Sequence, residues 1–531
     1  MTIAILGSGP AGVAAAQALA DSGLPVTLLD AGDRIEAGRM DAFAALAQSE
    51  PERWPPELAR SAREGFTVGI GHVPLKPAYG SLFPYALDDP DLPVARERVE
   101  ALPSLAYGGL SNSWGASVLP FRQRDIADWP VSLAELRPHY EAVLRFVPLA
   151  ARHDELAETL PLYTDSPSPL RRALQAEVLL GHLRRHSTTL RAAGFTFGAA
   201  RLAVSAAPDD PRHCRYSGMC LHGCPYGSIY NATHTLDSLV REARIDYRGN
   251  LYVDRLSEAD GSVRIDFHDR RSPARTGSMT ASRVLVACGA ISSTRLVLDS
   301  LGLRRTSTRL RDSQYFVIPM LARRSTPVSV ATQGNTLAGV FVELEDPRIA
   351  ARSVHLQLYG YNDLLLQAAT GAIPLDSMRI ERLLRPLLGR LFTIQGYLHS
   401  EDSPGLSIEL AASGIRLVGD DGALAAIRIR RLVRRLAAAG RDLGMLPLPQ
   451  LVQIGLPGKS NHLGGSFPMR ADPRSGETDT LGRPHAWRRV HIVDASIFPS
   501  VPATTITLSV MANAHRIATA VAAAEIASHS G

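Results

Sequence analysis

The first thirty residues constrain the fold more than any other part of the sequence. An apolar run at residues 3–6 is followed by a turn with alternating glycines, an alanine-rich stretch at 11–22, and a second apolar run that ends at Asp30. This order of strand, glycine turn, helix and strand is typical of a βαβ unit that binds a dinucleotide. We therefore expect an α/β protein that binds a cofactor pyrophosphate at the start of the first helix.

The turn reads Gly7-Ser8-Gly9-Pro10-Ala11-Gly12. In such a turn the first glycine allows the tight bend, the second lets the pyrophosphate approach the backbone, and the third permits close packing of the helix. Asp30, eighteen residues after the turn, is placed to bind the adenosine ribose. The alternative is a glycine-rich turn with a purely structural role. The predicted cofactor-binding residues here are Gly7, Gly9, Pro10, Ala11, Gly12 and Asp30.

Length and composition favour one large enzyme. With 531 residues and 45% hydrophobic content the chain can bury an extensive core. It has no apolar run of about 18 residues and no charged leader, so we expect a cytoplasmic protein without intrinsic membrane association. The formal charge of +5 is spread along the chain without a basic block rich in aromatics, which argues against a nucleic-acid partner.

Periodicity divides the remaining chain into helical and strand-like segments. Helical patterns occur at 133–146, 169–193 and 378–392, and a closing helix is predicted at about 507–526. Strand-like runs near 248–254 and 283–288 indicate a return to the nucleotide-binding unit. From about 313 to 418 the residues alternate in polarity, which predicts an antiparallel sheet separate from that unit.

Several further segments carry a resemblance to one flavoprotein family. Residues 107–115, Tyr-Gly-Gly-Leu-Ser-Asn-Ser-Trp-Gly, resemble the GGxSxxWG stretch of the glucose-methanol-choline (GMC) oxidoreductases. Residues 287–296 resemble the family's AxGAxxTxxLL signature, and residues 493–499 and 511–518 resemble its closing flavin-binding strand and helix. The resemblance runs from end to end, although the middle third matches only in outline, and the chain is identified as a member of this family.

The resemblance implies FAD as the cofactor and a fold of two interleaved domains. The implied FAD-binding domain is a discontinuous Rossmann-type unit of residues 1–130, 206–312 and 455–531. The implied substrate-binding domain, with an antiparallel sheet, comprises residues 131–205 and 313–454. The further cofactor-binding residues that the resemblance implies are Gly108, Gly109, Ser111, Asn112, Trp114, Gly115, Val253, Ala287, Asp494, Ala495, Thr505 and Thr507.

The segment 461–469, Asn-His-Leu-Gly-Gly-Ser-Phe-Pro-Met, resembles the HxxGTxxM motif that carries the catalytic histidine of the family. An imidazole at the flavin can take the hydroxyl proton while the hydride leaves for flavin N5. The family's second His or Asn is replaced here by Thr505, whose hydroxyl can hydrogen-bond a substrate but cannot act as a second base. We predict His462, Asn461 and Thr505 as the catalytic set, and a structural role for His462 is the alternative.

Three cysteines form a second distinctive site. Cys214, Cys220 and Cys224 follow a C-x5-C-x3-C spacing, with proline directly after the last. Soft sulfur ligands on a glycine-bearing loop suit one iron–sulfur centre. The spacing resembles the [3Fe–4S] site of the membrane-linked sugar dehydrogenases of the GMC family, which implies a cluster that carries electrons away from the flavin. Zinc completed by a neighbouring histidine, structural thiols, or a redox disulfide are the alternatives.

These features together predict an FAD-dependent dehydrogenase. The resemblance implies oxidation of a C–OH group on a sugar, polyol or sugar conjugate, with electrons leaving through the cluster to an acceptor protein. The missing second His or Asn leaves open a redox-neutral isomerase, in which the hydride returns to the same molecule. An alcohol oxidase that uses O2 and a non-catalytic electron-transfer subunit are also compatible with the sequence.

Overall fold

A computed structural model describes residues 2–63, 75–303, 307–327, 334–362, 387–411 and 413–530. Most of the amphipathic helix predicted at 378–392 lies outside the described residues. Its last two residues, Leu391 and Phe392, begin a strand instead. A short apolar run fits either period, and here the pairing with neighbouring strands decided the outcome.

The N-terminal βαβ unit is the centre of a five-stranded parallel sheet. Its first two strands are buried along their whole length, as expected for a parallel sheet covered on both faces. The chain returns to this sheet from three later regions, and every pairing is parallel. Across the sheet the strands are Val490–Ile492, Arg283–Val286, Ile3–Leu6, Val26–Leu29 and Asp246–Arg248.

Three helices carry much of the largest hydrophobic core, and one of them, Pro10–Asp21, packs directly against the sheet. Pro10–Asp21 begins directly after Gly9, with proline at its first turn, where a missing N–H costs nothing. The last helix, Thr507–Ser530, packs against Pro10–Asp21 and against Leu133–Val143. The latter starts with a capping box made by Ser132 and Glu135. The predicted α/β fold with a Rossmann-type unit is confirmed.

The predicted antiparallel region is also confirmed, but it forms two sheets instead of one. The larger sheet has seven strands, Phe195–Ala199, Tyr315–Ala322, Val340–Leu344, Val354–Tyr359, Leu391–Tyr397, Met445–Pro447 and Gln453–Ile454. The predicted strand at 406–410 belongs to a second, five-stranded sheet of Val94–Glu97, Thr308–Asp312, Leu406–Ala411, Gly414–Gly419 and Leu463–Gly464. Alternating polarity predicts which face of a strand is buried, but it does not predict which strand pairs with it.

A three-stranded antiparallel meander follows the edge strand Asp246–Arg248 of the parallel sheet. Its strands are Leu251–Ala259, Ser262–Asp269 and Ser272–Ala281. The strand predicted near 248–254 is therefore two strands in different sheets. The helix predicted at 169–193 is likewise two helices, Leu174–Arg185 and Ser187–Ala192, which meet at His186.

The remaining α-helices among the described residues are Ala37–Ala47, Pro56–Arg63, Ala232–Arg241, Ala290–Ser300, Ala423–Ala438 and Gly440–Leu443. Short 3-10 helices occur at Pro51–Arg53, Gly109–Asn112, Gln123–Ile126, Glu155–Glu158, Pro449–Leu451 and Ala495–Ile497. Within the described ranges, no helix combines the length and the apolar character needed to cross a membrane.

Candidate active site

A cleft of about 1330 Å³, including its opening to solvent, lies at the carboxyl ends of the parallel strands. This is the edge of an α/β sheet at which ligands usually bind. The predicted cofactor-binding residues that line the cleft are Gly7, Gly9, Pro10, Ala11, Asp30, Gly109, Val253, Ala287, Asp494, Ala495 and Thr507. Asn461, from the predicted catalytic set, lines it too.

The glycine turn leaves room for a bulky group above the helix. Gly7 has φ +97°, and a Cβ there would lie 2.6 Å from the Ala287 carbonyl oxygen. A Cβ on Gly12 would lie 2.0 Å from the Gly7 carbonyl oxygen. At Gly9, in contrast, a Cβ would meet nothing within 4 Å. The turn is therefore packed tightly from below and open above Gly9, which fits a pyrophosphate at the helix N-terminus.

Asp30 lines the cleft and also fixes the turn. Its carboxylate accepts hydrogen bonds from the Ser8 hydroxyl (2.6 Å), the Ser8 N–H (3.2 Å) and the Tyr247 hydroxyl (3.3 Å). Burial raises the pKa of Asp30 to about 6. The Ser8 hydroxyl in turn accepts a hydrogen bond from the Gly108 N–H at 2.9 Å. Ser8, a variable position of the glycine motif, therefore ties that motif to the loop at 107–115.

Of the predicted residues of that loop, Gly109 lines the cleft, and most of the others shape the backbone of the loop. The Ser111 hydroxyl donates to the Gly108 carbonyl at 2.6 Å, and the Asn112 amide donates to the Gly109 carbonyl at 2.7 Å. The Trp114 indole N–H donates to the Tyr230 carbonyl at 2.8 Å. These side chains hold Gly109 against the glycine turn, where a Cβ on Gly109 would lie 3.2 Å from the Gly9 Cα.

Asp494 joins the ends of two neighbouring strands. One carboxylate oxygen accepts from the Gly289 N–H (2.9 Å) and the Ser293 hydroxyl (2.5 Å), and the other accepts from the N–H and hydroxyl of Ser496. The motif assigned Asp494 to cofactor binding, but its hydrogen bonds fix the backbone that frames the cleft.

Arg295 is a charged residue of the cleft lining that sequence reasoning missed. It donates to the Val253 and Asp254 carbonyls at 2.6 and 3.1 Å, and its guanidinium stacks on Tyr252. Its position within the 287–296 signature was the available signal, although the signature itself does not specify an arginine.

His462 lies beside the cleft, between two residues that line it, Asn461 and Leu463. The side chain is half-buried, and its ring stacks on Tyr397 with the ring centroids 4.9 Å apart. Among the described residues its buried Nδ1 has no hydrogen-bond partner. Burial lowers the pKa of His462 to about 3. The imidazole is therefore neutral at physiological pH and can accept a hydrogen bond.

A buried carboxylate holds the loop that carries His462. Asp312, at the end of its strand, accepts from the Gly458 N–H at 2.8 Å and from the Ser460 hydroxyl at 2.6 Å. The Ser460 hydroxyl accepts from the His462 N–H at 2.8 Å, and Asn461 has φ +58°. Burial raises the pKa of Asp312 to about 6. No sequence motif marks Asp312, which is 150 residues away along the chain.

Thr505 lies just before the last helix and is buried. Its hydroxyl accepts a hydrogen bond from the Leu119 N–H at 3.1 Å. In the described chain it shares no hydrogen bond with His462. The catalytic role predicted for Thr505 stays a prediction, as do the roles of the other site residues.

Cys214, Cys220 and Cys224 line one small cavity. All three are free thiols, and burial is the main cause that raises the pKa of Cys214 to about 12. A second small cavity runs from Cys220 and Cys224 to the back of the loop at 107–115. Within the described part of the chain, no three His, Cys, Asp or Glu side chains are close enough together to hold a metal ion. The predicted cluster therefore stays a prediction.

Comparisons with known proteins agree with this geometry. Residues 450–514 match the C-terminal family model described as GMC oxidoreductase, and residues 5–53 match the model of an NAD(P)-binding Rossmann-like domain. No curated protein matches by sequence.

Two solved structures show the same fold along the whole chain. Pyridoxine 4-oxidase from Mesorbium loti is 17% identical, with a TM-score of 0.59 over 97% of this chain and 98% of that one. A variant of formate oxidase from Aspergillus oryzae RIB40, studied for FAD modification, is 14% identical, with a TM-score of 0.62 over 98% of both chains.

Proposed function

We propose that this chain, an enzyme with the C-terminal segment and the fold of the GMC oxidoreductases, oxidises a C–OH group of a small molecule with FAD bound in the cleft. The observation that carries the proposal is the position of His462 beside a cleft whose open space lies above Gly9. When bound, FAD supplies the acceptor for the hydride of the substrate carbon. The glycine turn, Asp30 and Thr507 would hold the cofactor.

His462 would bind the substrate hydroxyl and take its proton. A neutral imidazole can accept that hydrogen bond, and Asp312 and Ser460 fix the backbone from which it acts. Thr505, at the position of the family's second His or Asn, would orient the substrate oxygen without acting as a base.

We propose a sugar, polyol or sugar conjugate as the substrate. The rings gathered near His462 include the uncharged side chains Tyr315 and Tyr397, which suits a neutral polyhydroxylated molecule better than an anionic one. Pyridoxine 4-oxidase and formate oxidase are named as oxidases, so an alcohol oxidase that passes electrons to O2 is the second candidate. A redox-neutral isomerase is the third, because Thr505 replaces the second His or Asn.

We propose the two-domain division given by the sequence, and the distribution of the strands supports it. The five strands of the parallel sheet lie at 3–6, 26–29, 246–248, 283–286 and 490–492, all within the segments assigned to the FAD-binding domain. The seven strands of the larger antiparallel sheet lie at 195–199 and between 315 and 454, within the substrate-binding segments. The smaller five-stranded sheet takes strands from both sets.

We further propose that Cys214, Cys220 and Cys224 hold an iron–sulfur cluster of the [3Fe–4S] type. In this proposal the protein is a cytoplasmic dehydrogenase, and the cluster passes electrons to an acceptor protein. Three soft sulfur donors around one cavity support this proposal, and in the described chain they would have to move closer together to share one cluster. Iron and acid-labile sulfide analysis with EPR on anaerobically purified protein tests it. We expect iron that is lost in Cys220→Ser and kept in the matched variant Cys288→Ser. Zinc, or no metal, contradicts the proposal.

Anaerobic mixing tests the main proposal. Purified protein should be yellow, and an alcohol that it oxidises should bleach the flavin and leave it bleached until an acceptor or O2 is added. Rapid recovery on O2 favours the oxidase, whereas turnover of the alcohol without any acceptor favours the isomerase. A colourless protein that retains no flavin contradicts all three.

A further inference from the structure

Three aromatic rings stand in a column beside the candidate site. The ring centroids of His462 and Tyr397 are 4.9 Å apart with 25° between the planes, and those of Tyr397 and His355 are 6.1 Å apart with 28°. Phe341 meets His355 edge-on at 5.1 Å. We call His355, Tyr397 and His462 the ring column. It joins a loop next to the cleft to two strands of the larger antiparallel sheet.

Among the described residues, no hydrogen bond to Nδ1 fixes the ring of His462. In many enzymes a carboxylate bonded to Nδ1 fixes the plane of a catalytic imidazole. In the described chain the Nδ1 of His462 is buried and has no such partner. The hydrogen bond from His462 to Ser460 is donated by the backbone N–H and leaves the ring free to turn. The face of Tyr397 is thus the contact that sets the plane of the ring.

At the other end of the column, His355 is held by side-chain hydrogen bonds. It is 0% exposed, and its Nδ1 lies 2.5 Å from the Glu343 carboxylate. The two residues lie directly opposite each other on paired antiparallel strands. The Nε2 of His355 lies 3.2 Å from the Gln357 amide nitrogen, on the same face of the strand.

The hydrogen bonds continue from His355 to Ser117, two residues after the loop at 107–115. The Gln357 amide oxygen accepts from the Tyr359 hydroxyl at 3.1 Å and from the Ser117 hydroxyl at 3.2 Å. This pattern is self-consistent when His355 carries its proton on Nδ1, toward Glu343, and accepts from Gln357 at Nε2. All five residues that these hydrogen bonds connect are buried. A buried carboxylate–histidine pair is expensive to desolvate, so its presence suits a positional role better than a stabilising one.

We propose that Tyr397 and His355 are positioning residues for His462. The hydrogen-bonded His355 holds the ring of Tyr397, and Tyr397 holds the imidazole of His462 in the plane from which it meets the substrate hydroxyl. The sheet thus supplies the orientation that a carboxylate supplies elsewhere. This inference rests on the proposed function, in which His462 takes the substrate proton.

The first test needs no substrate. In holoenzyme labelled with ¹³C at histidine Cε1, the resonance of His462 is identified by its loss in His462→Gln. The ring current of Tyr397 should displace this resonance. We expect Tyr397→Leu to remove the displacement and Tyr397→Phe, which keeps the ring, to preserve it. An unchanged resonance in Tyr397→Leu overturns the proposal.

The second test measures anaerobic flavin bleaching with glycerol, sorbitol, glucose and benzyl alcohol as probes. Misplacement of a reacting group by an ångström can cost about 100-fold in rate, so we expect a loss of this order in Tyr397→Leu at saturating alcohol. The apparent dissociation constant of the alcohol should change much less. Tyr397→Phe should behave like the wild type, and it retains the packing if the leucine variant fails to fold. A loss in Tyr397→Phe as large as in Tyr397→Leu overturns the proposal, because the hydroxyl would then carry the effect.

Two further variants test the buried end of the column. Glu343→Gln should slow bleaching and broaden the His462 resonance, because His355 loses its charged partner. The matched control is His186→Gln, which removes a remote histidine–carboxylate bond of 2.9 Å to Asp442. Equal effects of the two variants contradict the proposal. If no alcohol bleaches the wild type, the proposed function fails, and the resonance measurements still decide whether the column exists.

Discussion

The two sides of the candidate site differ in what shapes them, since one is formed mainly by backbone and the other by side-chain contacts. The cofactor cleft is framed by backbone, with glycines at the ends of neighbouring strands and an open space above Gly9. The side that carries His462 is assembled from side chains, since Asp312 fixes its loop and Tyr397 stacks on its ring. We therefore expect FAD binding to be lost when atoms are added to the cleft. We expect flavin bleaching to slow when contacts are removed from the side that carries His462.

Adding atoms at Gly9 should have the largest effect. A Cβ there meets no protein atom within 4 Å, so Gly9→Val should fold normally and block the approach of the pyrophosphate. We expect FAD affinity to fall at least about 100-fold, which corresponds to about 2.7 kcal/mol. Flavin fluorescence titration of the apoprotein measures this. Gly38→Val, at an exposed glycine that also has nothing within 4 Å, is the matched control and should bind FAD like the wild type. Similar affinities in both variants would show that the cleft is not the cofactor site.

Removing a contact on the histidine side should have a smaller effect and a different signature. Asp312→Asn weakens the bonds to Gly458 and Ser460, and loss of such a buried acceptor costs about 1–3 kcal/mol. We expect about tenfold slower flavin bleaching with FAD affinity unchanged. The comparison variant Asp346→Asn alters a carboxylate that pairs with Arg348 and should leave bleaching unaffected. A loss of FAD from Asp312→Asn would break the distinction between the two sides.

The pH dependence of bleaching should show the smallest effect. The pKa of His462 is lowered from its ordinary value near 6.5 to about 3, so the basic form predominates throughout the range above that value. Protonation of His462 should therefore not slow bleaching between pH 8 and pH 5. Stopped-flow measurements across this range check the prediction. A fall in rate with an apparent pKa near 6.5 that disappears in His462→Gln would contradict it.

The cleft was largely predictable from the sequence because its determinants are local. The glycine turn, Asp30 and the closing helix follow one another within short motifs, and the structure places Gly7, Gly9 and Asp30 at one opening. The parallel sheet followed from the same reasoning. The predicted residues Ser111 and Trp114 belong to the loop at 107–115, which reaches the cleft at Gly109. Their side chains hydrogen-bond to backbone carbonyls and do not line the cleft, and a linear motif does not distinguish these two roles.

The histidine side was predicted only at His462 and its neighbours. Tyr397 and His355 lie opposite each other on paired strands. The strand of Tyr397 begins at Leu391, in a segment that was wrongly predicted to continue as a helix to 392. Their residue types carry no motif, and their positions depend on the register between strands. Asp312 was missed for the same reason, since its strand pairs with Leu463–Gly464 over a long sequence separation.

The most direct test of the account compares His462→Gln with His491→Gln in anaerobic stopped-flow mixing with an alcohol that bleaches the wild-type flavin. His491 is buried in a strand of the parallel sheet, where it bonds the Leu481 carbonyl away from the proposed chemistry. The account predicts that both variants retain FAD and that only His462→Gln bleaches about 100-fold to 10,000-fold more slowly. Bleaching by His462→Gln at the wild-type rate would contradict it.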